Sequence, residues 1–158
     1  MGEPLYVALV WHMHQPLYKD ALTGRYSLPW VRLHATKDYL HMAEVLAQYP
    51  DVHATFNFVP SLVEQLEDYA RGAAEDRYMA LSRQGTWSTA ERTFLLDSFF
   101  SIHWDRFVRR YPPYARLLDL RDAAREHKSY FSHAYYRDLA AWFNLAWIDP
   151  GIMRRDPE

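Results

Sequence analysis

The feature that most restricts the fold is an alternation of apolar run and amphipathic segment, met twice within the first 72 residues. Leu5, Tyr6, Val7, Ala8, Leu9 and Val10 are continuous, apolar and partly β-branched. That pattern, running from Pro4 to Trp11, predicts a parallel strand buried on both faces, because a half-exposed antiparallel strand would alternate. Pro16 closes it, since proline cannot donate to a ladder. A polar loop from Tyr18 to Leu28 follows, with Gly24 as its flexible point. Pro29 suits the first turn of a helix reaching about Tyr49. In that helix Tyr39, Met42, Ala43, Leu46 and Ala47 recur at three- and four-residue spacing and predict one buried face. Pro50-Asp51 ends it, and Val52 to Val59 reads as a second strand. Pro60-Ser61 turns into a further helix, with Ser61 and Glu64 spaced for a capping box and Leu62, Leu66 and Tyr69 as its apolar stripe. Strand, helix, strand, helix implies parallel neighbours joined by a right-handed crossover.

Beyond Gly72 no further strand is predicted. Helices are expected from Ser88 to about Tyr111, Pro113 to about Glu126, and Ser132 to about Ile148. Ser88 and Glu91 form a second capping-box pair. The last helix carries the stripe Tyr135, Leu139, Trp142, Phe143 and Ala146. Two parallel strands alone make no doubly covered sheet. The expectation is therefore an α/β domain that is incomplete as it stands: residues 1–72 supply its first βαβα units and 73–158 a helical continuation, with further strands beyond Glu158.

Composition removes several function classes. A formal net charge of −2 over 158 residues argues against a nucleic-acid binder, which would carry a basic face. The longest early apolar run is too short to span a membrane and lacks the basic flank of a secretory signal. Without cysteine there is no disulfide framework and no thiolate metal site, and a cytoplasmic location is the default expectation. Six Trp, twelve Tyr and eight Phe could include sugar platforms, but for any single ring a place in the core is the expectation.

In parallel α/β folds ligands bind at the carboxyl ends of the strands. Trp11, His12, His14 and Gln15 occupy one such end, and Thr55 with Asn57 the next. His12 and His14 are two apart, so on an extended strand they share a side. Such a pair could hold zinc if a third ligand joined it, His34 or Asp38 being the candidates. It could instead be structural, but the leading expectation is polar contact with a ligand, chiefly through His14. His34 falls early in the first helix, near the same rim. His41, His53, His103, His127 and His133 have no constellation around them, and Glu64, Glu67 and Asp68 read as a solvated acidic face. Glycosidic cleavage with retention needs two carboxyls about 5–5.5 Å apart, and no pair here can be assigned to that geometry. No phosphate loop, P-loop lysine or Gly-x-Ser-x-Gly elbow occurs.

Trp11-His12-Met13-His14-Gln15-Pro16 resembles the first signature region of glycoside hydrolase family 57, whose core is His-Gln-Pro at the end of the first barrel strand. Leu28 to His34, Thr55 to Leu62 and Trp142 to Trp147 resemble three further segments of that family, in order. The resemblance implies the N-terminal part of a (β/α)7 barrel, retaining chemistry on α-linked glucans or maltooligosaccharides, and no cofactor or obligatory metal. It implies a Glu nucleophile and an Asp acid/base in later signature regions, outside this chain, so that the chain alone is expected to be inactive and to need the remainder of its catalytic domain. His14, Gln15 and Pro16 carry over as a motif, with His14 beside the scissile bond. Trp11, His34 and Asn57 follow by position as substrate-binding residues. Two other classes remain open from the residues: a non-catalytic carbohydrate-binding or regulatory module, and a zinc-dependent deacetylase or mannosidase-type barrel using His12 and His14.

Overall fold

A computed structural model describes residues 3–124 and 131–155. The architecture is mixed α/β, a two-stranded parallel sheet with helices. It divides into two compact units, one of Met1–Glu75 with Asp149–Glu158, the other of Asp76–Ile148.

In the first unit, β1 (Leu9–Met13) pairs in parallel with β2 (Ala54–Phe58), Leu9 facing Ala54 and His12 facing Asn57. The expected first strand is thus displaced toward the carboxyl side. Leu5 and Tyr6 lie outside it, 89% and 88% exposed. A ladder extends only as far as its partner, and β2 offers five residues; Val59 N–H continues it by donating to Met13 O at 3.2 Å. Burial on both faces is also corrected. Met13, Val31 and Leu62 form a core with Trp11 and Phe56 packed on it, whereas Val10, His12, Thr55 and Asn57 are exposed.

The predicted crossover helix consists of α1 (Trp30–His34), a π-helical turn (Ala35–Tyr39) and α2 (Leu40–Ala47), with Pro29 as N-cap rather than first helical residue. Val31, Leu33 and Lys37 are its buried residues; Tyr39 and Met42 pack on the core, but Ala43 and Ala47 face solvent. The wider turn shifts the phase of the stripe, which the three- and four-residue spacing did not anticipate. Next, α3 (Pro60–Ala70) has Pro60 in its first turn and no side-chain cap. The expected capping box does not form, because the helix begins at Pro60 and leaves Ser61 inside it; Ser61 Oγ instead donates to Gln15 O at 3.2 Å.

The second unit contains α4 (Arg77–Arg83), α5 (Thr89–Ser98), a π-helical turn (Trp104–Val108), α6 (Pro112–Ala123) and α7 (His133–Ala146). The unanticipated α4 is capped by Asp76, whose carboxylate accepts from Met79 N–H at 2.8 Å. The capping box of Ser88 and Glu91 is present. The single helix expected from Ser88 to Tyr111 stops at Ser98: Tyr114 OH donates to Phe99 O at 2.5 Å and Trp104 Nε1 to Phe100 O at 3.0 Å, satisfying carbonyls that a continued helix would use. Leu95, Phe99, Tyr114, Leu118, Leu139 and Phe143 are fully buried. The expected helix end at Glu126, and His127, lie outside the described residues. Finally α8 (Pro150–Arg155), also not anticipated, belongs to the first unit, where Asp149 N–H donates to Thr36 O at 3.0 Å. Among the described residues no helix is long and apolar enough to cross a membrane.

Candidate functional site

The carboxyl end of β1 opens into a cleft of about 440 Å³, within the usual range for small-molecule sites. Val10 to Gln15 form one wall, and His34, Tyr39 and Met42 the other. Five residues singled out from the sequence, Trp11, His12, His14, Gln15 and His34, therefore share one cavity. Asn57 does not line it. Its Oδ1 lies 2.6 Å from His12 Nδ1; an amide oxygen only accepts, so Nδ1 is the donor. The rings of His12 and His14 lie 5.9 Å apart and nearly parallel, as alternate residues of a strand should.

The π-helical turn builds the opposite wall. At about 100° per residue, an α-helix would carry Tyr39 roughly 140° away from His34. A π turn closes its hydrogen bonds five residues on and returns both to one side, with ring centroids 6.2 Å apart. Asp38 pairs with His34 Nδ1 and orients that ring. Tyr39 and Met42 were expected as core, and the phase shift is why their place on the cleft was missed.

Gln15 is held from two sides. Tyr18 OH donates to its Oε1 at 3.0 Å, and its Nε2 donates to Tyr39 OH at 3.1 Å. Burial raises the Tyr18 hydroxyl above its ordinary pKa, with the neighbouring Tyr39 adding to the shift, so the proton stays available to donate. The loop behind the motif is anchored by Asp68, whose Oδ2 receives Lys19 Nζ at 2.6 Å and Tyr26 OH at 2.8 Å. The hydrogen bond from Lys19, then that from Tyr26, hold the Asp68 carboxyl below the usual range. Of the acidic helix face, Asp68 is thus a clamp, and Glu67 pairs with Arg71 at 2.6 Å. Gly24 turns the loop at a φ of 68°, where a side chain would be strained.

This arrangement suits a neutral polyhydroxylated ligand: three imidazoles, a fixed amide and a phenol offer donors and acceptors, with Trp11 and Met42 as apolar surface. Among the described residues the cleft lining holds no Asp or Glu. Nor, among those residues, does any group of three or more His, Asp or Glu side chains converge to hold a metal ion, so the zinc reading of His12 and His14 lacks a third ligand there. His41, His53, His103 and His133 are exposed; His41 Nδ1 pairs with buried Asp149 at 2.9 Å, away from the cleft lining.

Comparison with the curated proteins gave no match, and comparison with solved structures gave none. Residues 8–154 match the family model described as Glycosyl hydrolase family 57. With His14 and Gln15 of that match set on the cleft wall, and the match spanning nearly the whole sequence, the chain belongs to glycosyl hydrolase family 57.

Proposed function

We propose that the cleft at the end of β1 is part of the substrate site of a retaining enzyme acting on α-linked glucans, either hydrolase or transglycosidase. Family membership carries glycosidase-type chemistry on a carbohydrate. The observation that supports the finer reading is the convergence of Trp11, His14, Gln15 and His34 on one cavity with no carboxylate in its lining. Such a cavity can bind and orient sugar hydroxyls, whereas the covalent route needs a carboxylate nucleophile and a carboxyl acid/base. In this reading those two groups come from polypeptide outside these 158 residues. The exposed sheet face bearing Val10, His12, Thr55 and Asn57 would then turn toward the interior of a (β/α)7 barrel.

Calorimetric titration with maltoheptaose and, separately, with the β-linked cellohexaose tests this. Binding of the α-linked oligomer that is lost in His14→Ala and in Trp11→Ala is expected. Equal affinity for the two oligomers, or α-glucan binding untouched by both substitutions, sinks it.

A further inference from the structure

Deep beneath the motif loop lies Gln65, a polar side chain with no exposed surface. Its Oε1 accepts from Tyr18 N–H at 2.8 Å, and its Nε2 donates to Pro16 O at 2.9 Å and to Ser61 O at 2.8 Å. The amide orientation follows from its partners, since a backbone N–H can only donate and a carbonyl can only accept. One turn earlier on α3, Ser61 Oγ donates to Gln15 O at 3.2 Å. Three contacts from one helix therefore take hold of the loop at Gln15, Pro16 and Tyr18.

We infer that Gln65, assisted by Ser61, is a positioning residue that sets the Gln15 amide and the neighbouring His14 on the wall of the cleft. The loop carries no regular structure of its own between Met13 and Lys19. Its backbone course is set by the hydrogen bonds it makes elsewhere. Gln65 fixes the backbone on both sides of Leu17, and so fixes where Tyr18 starts. Tyr18 OH in turn holds Gln15 Oε1, which aims Gln15 Nε2 at Tyr39 OH. The path from a buried helix residue to the cleft is thus continuous through named hydrogen bonds. A leucine at position 65 would fill the same space and leave Pro16 O and Tyr18 N–H to find partners by moving the loop. The role in ligand binding rests on the reading of the cleft as a glucan site; the role in placing Gln15 does not.

The test compares Gln65→Met, similar in shape but without the amide, with Leu139→Ala, which removes buried volume from α7 in the other unit. Nuclear magnetic resonance follows the Gln15 side-chain amide and the exchange of Tyr18 N–H, and titration with maltoheptaose follows affinity. In Gln65→Met the Gln15 amide signals should move, Tyr18 exchange should accelerate at least about tenfold beyond that in Leu139→Ala, and maltoheptaose affinity should fall about tenfold. Leu139→Ala should leave the Gln15 signals in place and affinity within about twofold. Gln15 signals unmoved in Gln65→Met overturn the inference. If the unsubstituted protein does not bind maltoheptaose, the glucan reading fails, while the Gln15 signals still decide the positioning role. Should Gln65→Met not fold, Gln65→Glu decides instead. Its carboxylate keeps the acceptor for Tyr18 N–H but lacks the donor to Pro16 O, and protonation restores it. Gln15 signals that return toward their unsubstituted positions as pH falls from about 8 to about 5 support the inference; signals indifferent to pH overturn it.

Discussion

His12 and Asn57 face each other across the parallel ladder, and the Asn57 amide oxygen takes the His12 Nδ1 proton at 2.6 Å. This bond joins strands 45 residues apart in sequence and selects one imidazole tautomer. In Asn57→Ala the ring loses that constraint. Nitrogen shifts should show Nδ1 protonated in the unsubstituted protein and a mixture of tautomers in the variant. Both side chains are exposed, so stability should change by no more than about 0.5 kcal/mol. Ligand affinity should fall about two- to tenfold, the worth of one hydrogen bond. An unchanged tautomer would mean that another group orients His12.

His14 is exposed on the same side of the strand, with no protein hydrogen bond of its own among those observed. Its replacement by Ala should therefore leave the melting temperature nearly unchanged. In the complete catalytic enzyme, kcat/KM should drop at least about tenfold, about 1.4 kcal/mol of transition-state stabilisation. A variant that loses stability while its folded fraction turns over normally would assign His14 a structural role.

The clamp of Lys19, Asp68 and Tyr26 predicts a pH window. The Asp68 carboxyl is depressed on folding, first by the Lys19 hydrogen bond and then by Tyr26. Its contribution is present above the unfolded value of about 3.9 and is lost as pH falls through the lower folded value. Lys19 is raised, chiefly by the hydrogen bond to Asp68. Its contribution is present below about 10.4 and is lost as pH rises beyond. Thermal melts should be flat near neutrality and fall in acid. Asp68→Asn should lower the neutral plateau and flatten the acid limb. Parallel acid limbs for the two proteins would assign the acid sensitivity to other carboxylates, Asp20 and Glu91 being depressed by their own hydrogen bonds.

Much of this was open to a reading of the sequence, and the exceptions have physical causes. The order of strand, crossover helix, strand and helix follows from periodicity and proline placement, and the two histidines share a side because strand geometry requires it. The span of β1 did not follow, since Leu5 to Val7 are as apolar as Leu9 and Val10 and only the length of β2 decides which of them pair. Tyr39 and Met42 sit on the cleft because of a π turn, and its phase shift is invisible to a 3.6-residue template. Ser61 and Glu64 have capping-box spacing, but Pro60 begins the helix one residue earlier. Gln65 carries no signal in the sequence, because its burial and its partners come from a loop 47 to 49 residues away in the chain.

The helical unit permits a sharper contrast between adjacent residues of one stripe. Trp142 and Phe143 were both expected on the buried face of α7, but only Phe143 is fully buried. Its ring lies 4.6 Å from Phe99 and 5.5 Å from Tyr78, inside a cluster of three rings. Trp142 is half-buried and pairs with Tyr111 at 5.5 Å near the surface. Truncating a buried aromatic removes its transfer free energy and leaves a cavity that neighbours fill only in part. Phe143→Ala should therefore cost about 3–5 kcal/mol, a large share of the roughly 5–15 kcal/mol by which domains are stable. Trp142→Ala gives up part of one aromatic pairing and some partly exposed area, and should cost about 1–2 kcal/mol. Urea unfolding of the two variants, followed by circular dichroism at equal slope, measures the difference. Near-equal losses would mean that α7 is rotated about its axis relative to the packing described, with Trp142 carrying as much of the core as Phe143.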